Sequence, residues 1–113
     1  MSGDRFYLKA GDTAPGLRRQ LRTRGGPIDL SGATVTASME PRLGGDPVFV
    51  DRPVVVEAPG TGVVRCDWQP GDTDGIGPHR LEFSVTYDDG ARETVPNVGA
   101  VEVFISRRIG GEE

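Results

Sequence analysis

His79-Arg80-Leu81-Glu82-Phe83-Ser84-Val85-Thr86-Tyr87, followed at once by Asp88-Asp89-Gly90, is the most informative stretch of this chain. Leu81, Phe83, Val85 and Tyr87 alternate with Arg80, Glu82, Ser84 and Thr86. A period of two places one set on each face of a β-strand, so the apolar set faces a core and the polar set faces water. Asp88-Asp89-Gly90 is a hairpin signal, because glycine takes a positive φ without steric cost.

The same grammar runs outward from this strand in both directions. Downstream, Arg92 to Val95 returns, Pro96-Asn97-Val98-Gly99 turns, and Ala100 to Ser106 directs Val101, Val103 and Ile105 inward. Arg107 to Glu113 is a polar tail, expected to be mobile. Upstream, Val63 to Gln69 puts Val64, Cys66 and Trp68 on one face and Arg65 and Asp67 on the other. Gln69 to Asp74 has room for one helical turn. Val48-Phe49-Val50 and Val54-Val55-Val56 flank Asp51-Arg52-Pro53, and Pro53, lacking an amide donor, belongs at an edge or a strand start. Ala33 to Glu40 alternates, with Ala33, Val35, Ala37 and Met39 inward. Leu17 to Thr23 carries Leu17 and Leu21 on one face and Arg18, Gln20 and Arg22 on the other. Arg19 is expected at the rim of the apolar face, its stem packed and its head in water. Arg5 to Lys9 is the first strand. No segment shows capped 3.6-residue apolar periodicity.

Bulk composition agrees. At 113 residues, with 17 glycines and 9 prolines, the chain suits one domain of short strands and tight turns. Seven to nine short strands in residues 1–106 predict an all-β, immunoglobulin-like antiparallel two-sheet sandwich, with a small barrel as the alternative. Residues 107–113 form the tail. Cys66 is the sole cysteine, so no intramolecular disulfide can form, and the tryptophan–cystine core of antibody domains is impossible. Trp68 can still anchor the core, provided its indole N–H finds an acceptor.

No apolar run reaches the roughly 20 residues that span a bilayer, and Met1-Ser2-Gly3-Asp4-Arg5 lacks the apolar segment of a signal peptide. Both point to assembly in the cytoplasm without a membrane partner. The formal charge of −4 is unevenly spread. Residues 1–24 hold six basic and two acidic groups, a balance of +4, which leaves −8 for the rest. A pI of about 5.0 and the absence of aromatics among the arginines argue against nucleic acid.

Chemistry is sparse. His79, the one histidine, reads as a surface or strand-end residue, and Cys66, between Val64 and Trp68, as an inert core thiol. Asp72-Thr73-Asp74 and Asp88-Asp89 read as turn chemistry rather than a calcium loop. Gly11-Asp12-Thr13 and Gly71-Asp72-Thr73 repeat one tripeptide, each expected to cap its own strand-to-turn bend. The sequence therefore predicts no enzyme, no metal and no cofactor.

Several segments resemble, in order and spacing, the N-terminal immunoglobulin-like domain of phage baseplate upper proteins and related β-sandwich domains of siphophage minor tail proteins. They are Phe6-Tyr7-Leu8-Lys9-Ala10-Gly11-Asp12-Thr13-Ala14-Pro15 and Pro27-Ile28-Asp29-Leu30-Ser31-Gly32-Ala33-Thr34-Val35, then Gly62-Val63-Val64 with Trp68, and Gly71-Asp72-Thr73. Leu81 to Gly90 and Thr94-Val95-Pro96-Asn97 complete the set. The resemblance implies a virion structural role, in which the domain docks on other tail or baseplate proteins within a symmetric assembly. A capsid decoration protein and a carbohydrate-binding adhesin are the alternatives. The adhesin predicts an exposed aromatic platform drawn from Tyr7, Phe49, Trp68 and Phe104. Two docking surfaces are expected. One is the basic outer face of Arg18, Arg22 and Arg24, with Arg19 at its rim. The other is an edge presented by the last strand, where Phe104 interrupts a polar face.

Overall fold

The computed structural model describes residues 4–97 and 99–110. Among the described residues eleven extended segments follow one another: β1 (Arg5–Lys9), β2 (Leu17–Gln20), β3 (Arg22–Thr23), β4 (Gly26–Pro27), β5 (Thr34–Pro41), β6 (Phe49–Pro53), β7 (Val55–Ala58), β8 (Val63–Cys66), β9 (Gly77–Thr86), β10 (Arg92–Val95) and β11 (Val101–Ser106). A 3-10 turn at Pro59–Thr61 is the only helical element among the described residues. β3 and β4 are two-residue arms of a small hairpin, and without them nine strands remain.

The strands form a sandwich. Its larger sheet has the order β1-β11-β9-β5-β6, and its smaller sheet the order β2-β8-β7. β9 is ten residues long, so one of its edges serves two neighbours: β11 pairs with Gly77 to Leu81 and β10 with Phe83 to Thr86. Its other edge carries β5 in unbroken antiparallel register, from Thr34 opposite Thr86 to Pro41 opposite His79. The predicted alternation holds along β9, where Leu81, Phe83 and Val85 are fully buried. They meet Val35, Ala37 and Met39 of β5 and Val101, Val103 and Ile105 of β11. The smaller sheet contributes Leu17, Val64 and Cys66. Trp68 closes the core: its indole donates to the Pro15 carbonyl at 3.0 Å, and its ring lies 6.0 Å from Phe6 and 6.4 Å from Phe49.

Several sequence expectations are corrected. One pairing is parallel, β1 with β11. The chain leaves β1 for the other sheet, so β1 borders the last strand, and parallel neighbours tolerate so long a connection. The stretch Leu17–Thr23 is broken at Leu21, whose amide donates to Gly62 O at 2.7 Å while its carbonyl accepts from Ile28 N at 2.9 Å. Asp51-Arg52-Pro53 does not separate two strands but belongs to β6. Asp51 takes a φ of 53°, and the β5–β6 register shifts between Ala37 and Met39. This bulge turns Arg52 inward, where its guanidinium lies 4.1 Å from the Phe49 ring centroid and pairs with buried Asp72. β6 is an edge strand, as Pro53 requires. His79 is buried rather than superficial, with Nδ1 3.0 Å from Gly77 O. Gln69–Asp74 forms two successive reverse turns in place of a helical one.

The two Gly-Asp-Thr copies are bonded to each other. Gly11 N donates to Thr73 O at 3.2 Å, and Thr73 Oγ1 donates to Asp12 O at 2.8 Å. The Asp72 carboxylate also accepts from Gln69 N at 2.7 Å, three residues upstream rather than two residues on, while Asp74 N donates to Gly71 O. Of the predicted tail, Arg107 to Gly110 is exposed and outside any strand. Gly111 to Glu113 lie outside the described residues, as does Val98 of the Pro96–Gly99 turn.

Candidate docking surface

Register determines which outward side chains of the larger sheet are neighbours, and it sorts them into rows across the strands. The first row is aromatic and apolar: Tyr7 of β1 opposite Phe104 of β11, which lies opposite Pro78 of β9. The Tyr7 and Phe104 rings stack, with centroids 5.4 Å apart and planes at 19°. Tyr7 is 64% exposed and Phe104 half-buried. The next row is charged: Arg5 of β1, Glu102 of β11, Arg80 of β9 and Glu40 of β5. Its signs alternate across four strands. Arg80 reaches Glu40 at 2.5 Å, and Arg5 and Arg42 approach Glu102 at 3.7 and 3.9 Å. The Arg5 guanidinium also lies 5.9 Å from the Phe104 centroid, which ties the two rows together. The remaining rows are hydroxyl-rich, with Ser38 opposite Glu82, Thr36 opposite Ser84 and Thr34 opposite Thr86. An open groove of about 720 Å³ lies over the charged row, lined by its Glu40, Arg80 and Glu102 together with Arg42, Pro47, Val50, Gly99 and Ala100.

The four predicted arginines do not form one basic face. Arg18 lies on the outer face of the smaller sheet, and its Nε meets Glu57 Oε1 at 2.5 Å. Glu57 Oε2 accepts from Arg65 at 2.5 Å, and Arg65 reaches on to Asp67 at 2.7 Å. The bond from Arg18, with help from Arg65, holds the Glu57 carboxyl below its usual range, and Arg65 does the same for Asp67. Arg19 sits at the rim as expected, 5.6 Å over the Phe6 ring, but Asp4 grips its head at 2.6 and 2.8 Å. Arg22 donates to Gln20 at 3.1 Å. Arg24 is exposed on the β3–β4 hairpin, with no ion-pair partner among the described residues. Two of the four arginines are thus neutralised, Arg18 by Glu57 from another strand and Arg19 by Asp4 of the same N-terminal segment.

The edge proposed for Phe104 is also corrected. β11 lies between β1 and β9, so it offers no free backbone. Phe104 projects from the sheet's face instead. Of the four aromatics named for a sugar platform, Phe49 and Trp68 are buried, which leaves Tyr7 and Phe104.

The remaining chemistry is tied up in structure. Burial pushes the Cys66 thiol up to about 11. Asp72 is engaged by Arg52, and Asp89 Oδ1 accepts from Ala91 N at 2.9 Å within its hairpin. Among the described residues no three His, Cys, Asp or Glu side chains are grouped to hold a metal ion.

The alternating charged row was not visible in the sequence. Arg5, Glu40, Arg80 and Glu102 are far apart in the chain, and only the strand register makes them neighbours. Their shared signal is their polar position in each strand's alternation, which identifies the face but not the row.

No protein-family model matches the chain, and no curated protein matches it. Among solved structures, CopC from Methylosinus trichosporium OB3b is similar, with a TM-score of 0.53 over 94% of this chain and 87% of CopC, at 13% sequence identity. At that identity the likeness is one of fold, and it agrees with an immunoglobulin-like β-sandwich.

Proposed function

We propose that the chain is a non-enzymatic virion structural protein, a docking module of a phage tail or baseplate that acts within a symmetric assembly. The observation that carries this reading is the Tyr7–Phe104 pair: a large exposed ring braced on a half-buried one, on the face of a six-stranded sheet. Docking surfaces concentrate their binding energy in such anchors, surrounded by polar rims, and the charged row supplies the rim here. The turn motifs behind the family resemblance support the same reading. The two Gly-Asp-Thr turns interlock, and Pro15 receives the Trp68 indole. Other virion proteins are the proposed partners.

The test is Tyr7→Ala introduced into the genome that encodes the protein, with particle composition read by quantitative mass spectrometry. Removing an anchor aromatic costs at least about 2 kcal/mol at a docking site, or roughly thirtyfold in affinity. The variant protein should fold normally and be depleted from particles. Wild-type incorporation would remove the surface from the account. Capsid decoration remains the alternative within the same biology, and copy number separates the two: hundreds of copies per particle indicate the head, a few dozen or fewer the tail.

A further inference from the structure

The charged row on the larger sheet has a symmetry that identifies a partner. Its order across the sheet is Glu40, Arg80, Glu102, Arg5, or minus, plus, minus, plus. Two such faces can meet about a two-fold axis lying in the interface. An axis running along the strands reverses the row. Glu40 then opposes Arg5 of the second copy, and Arg80 opposes Glu102 of the second copy, so all four contacts are attractive. An axis running across the strands leaves the order unchanged, so every contact repels. We propose that this face pairs with a second copy of the same chain about a two-fold axis parallel to the strands.

The neighbouring features fit the same operation. The aromatic row keeps its level along the strands when the sheet is turned about that axis. Phe104 comes over Pro78 of the second copy. Tyr7 passes beyond them to the β5 side, where Arg42 walls the open groove. A protruding ring thus faces a recess lined by a cation, an arrangement that rewards a tyrosine. Isologous pairing of one self-complementary patch is the commonest form of homo-oligomer.

The extent of the face sets the strength. Four strands about 4.8 Å apart and roughly eight residues of strand length cover about 500 Å² on each copy. Some 1,000 Å² in total lies at the lower limit for specific pairing, and charge pairs carry the contact, so the dimer is weak and salt-sensitive. The inference rests on reading this face as a docking surface. It is independent of where in a particle, or whether in a particle, the protein resides.

The experiment is sedimentation-velocity ultracentrifugation of the full chain at low salt, from micromolar to near-millimolar concentration. The wild type should shift reversibly from monomer to dimer. Arg80→Glu alone sets two repulsive contacts across the axis, as does Glu102→Arg alone, and each should raise the dissociation constant about a hundredfold. Mixed one to one, the two single variants restore every opposing pair and should form a heterodimer. The ladder within each variant chain stays broken in that mixture, so rescue arises only between chains. Circular dichroism confirms that both variants remain folded. A wild type that stays monomeric throughout, or single variants that dimerise as well as wild type, would overturn the proposal. Variants that stay monomeric when mixed would do the same. None of these results bears on particle composition, which tests the virion reading separately.

Discussion

Gly62→Ala probes the joint that holds the smaller sheet together, and Gly32→Ala is its control. Both glycines have a φ of +76°, so alanine meets the same backbone penalty at each, about 1 kcal/mol. Their surroundings differ. A Cβ at Gly32 would lie 3.4 Å from the Asp88 carboxylate, the movable end of a side chain. A Cβ at Gly62 would lie 2.7 Å from Ile28 O and 2.9 Å from Leu21 O, both backbone atoms. Those groups are fixed by the bonds from Leu21 N to Gly62 O and from Ile28 N to Leu21 O. Relieving the overlap means stretching these bonds or shifting a strand end, which adds about 2 kcal/mol of the kind seen on overpacking. Gly62→Ala should therefore cost about 3 kcal/mol in total and Gly32→Ala about 1 kcal/mol. Urea unfolding followed by Trp68 fluorescence reads the difference, since Trp68 is the sole tryptophan and is buried. With a slope of roughly 1.5 kcal/mol per molar urea, the midpoints should fall by about 2 M and somewhat under 1 M. Equal midpoints for the two variants would refute the claim that Leu21, Ile28 and Gly62 form a rigid stitch.

Two further outcomes follow from the buried groups. Asp72→Asn leaves the Arg52 charge unpaired beneath the sheet edge and should destabilise the fold by about 3 kcal/mol, measurable by the same denaturation. Cys66 should resist thiol reagents until the protein unfolds, because its thiol is fully buried and pushed up to about 11. The unfolded thiol ionises near 9.0 while the folded one stays protonated. Stability from this group is thus complete below pH 9 and is lost as pH rises towards 11, and Cys66→Ala should flatten that alkaline decline.

What the sequence revealed and what it hid divide along physical lines. Inward rows such as Leu81, Phe83 and Val85 were legible because a period of two is a local property of one strand. Trp68 was legible as a core anchor because a buried indole must donate to something, and Pro15 O accepts it. The bulge at Asp51, the break at Leu21 and the burial of His79 depend on partners distant in the chain, and no local pattern announces them. The basic N-terminal segment misled for the same reason: Asp4 and Glu57 reach Arg19 and Arg18 only after folding. Tyr7 and Phe104 were each visible as aromatics, but the parallel pairing of the first and last strands is what stacks them.

The proposed role of this sandwich as a docking subunit of a virus particle is visible to cryo-electron microscopy of the particle encoded by the same genome. Density for the sandwich should appear in the tail or baseplate, at symmetry-related positions, with the Tyr7–Phe104 face against a neighbouring subunit. Mature particles that lack the protein altogether would contradict it.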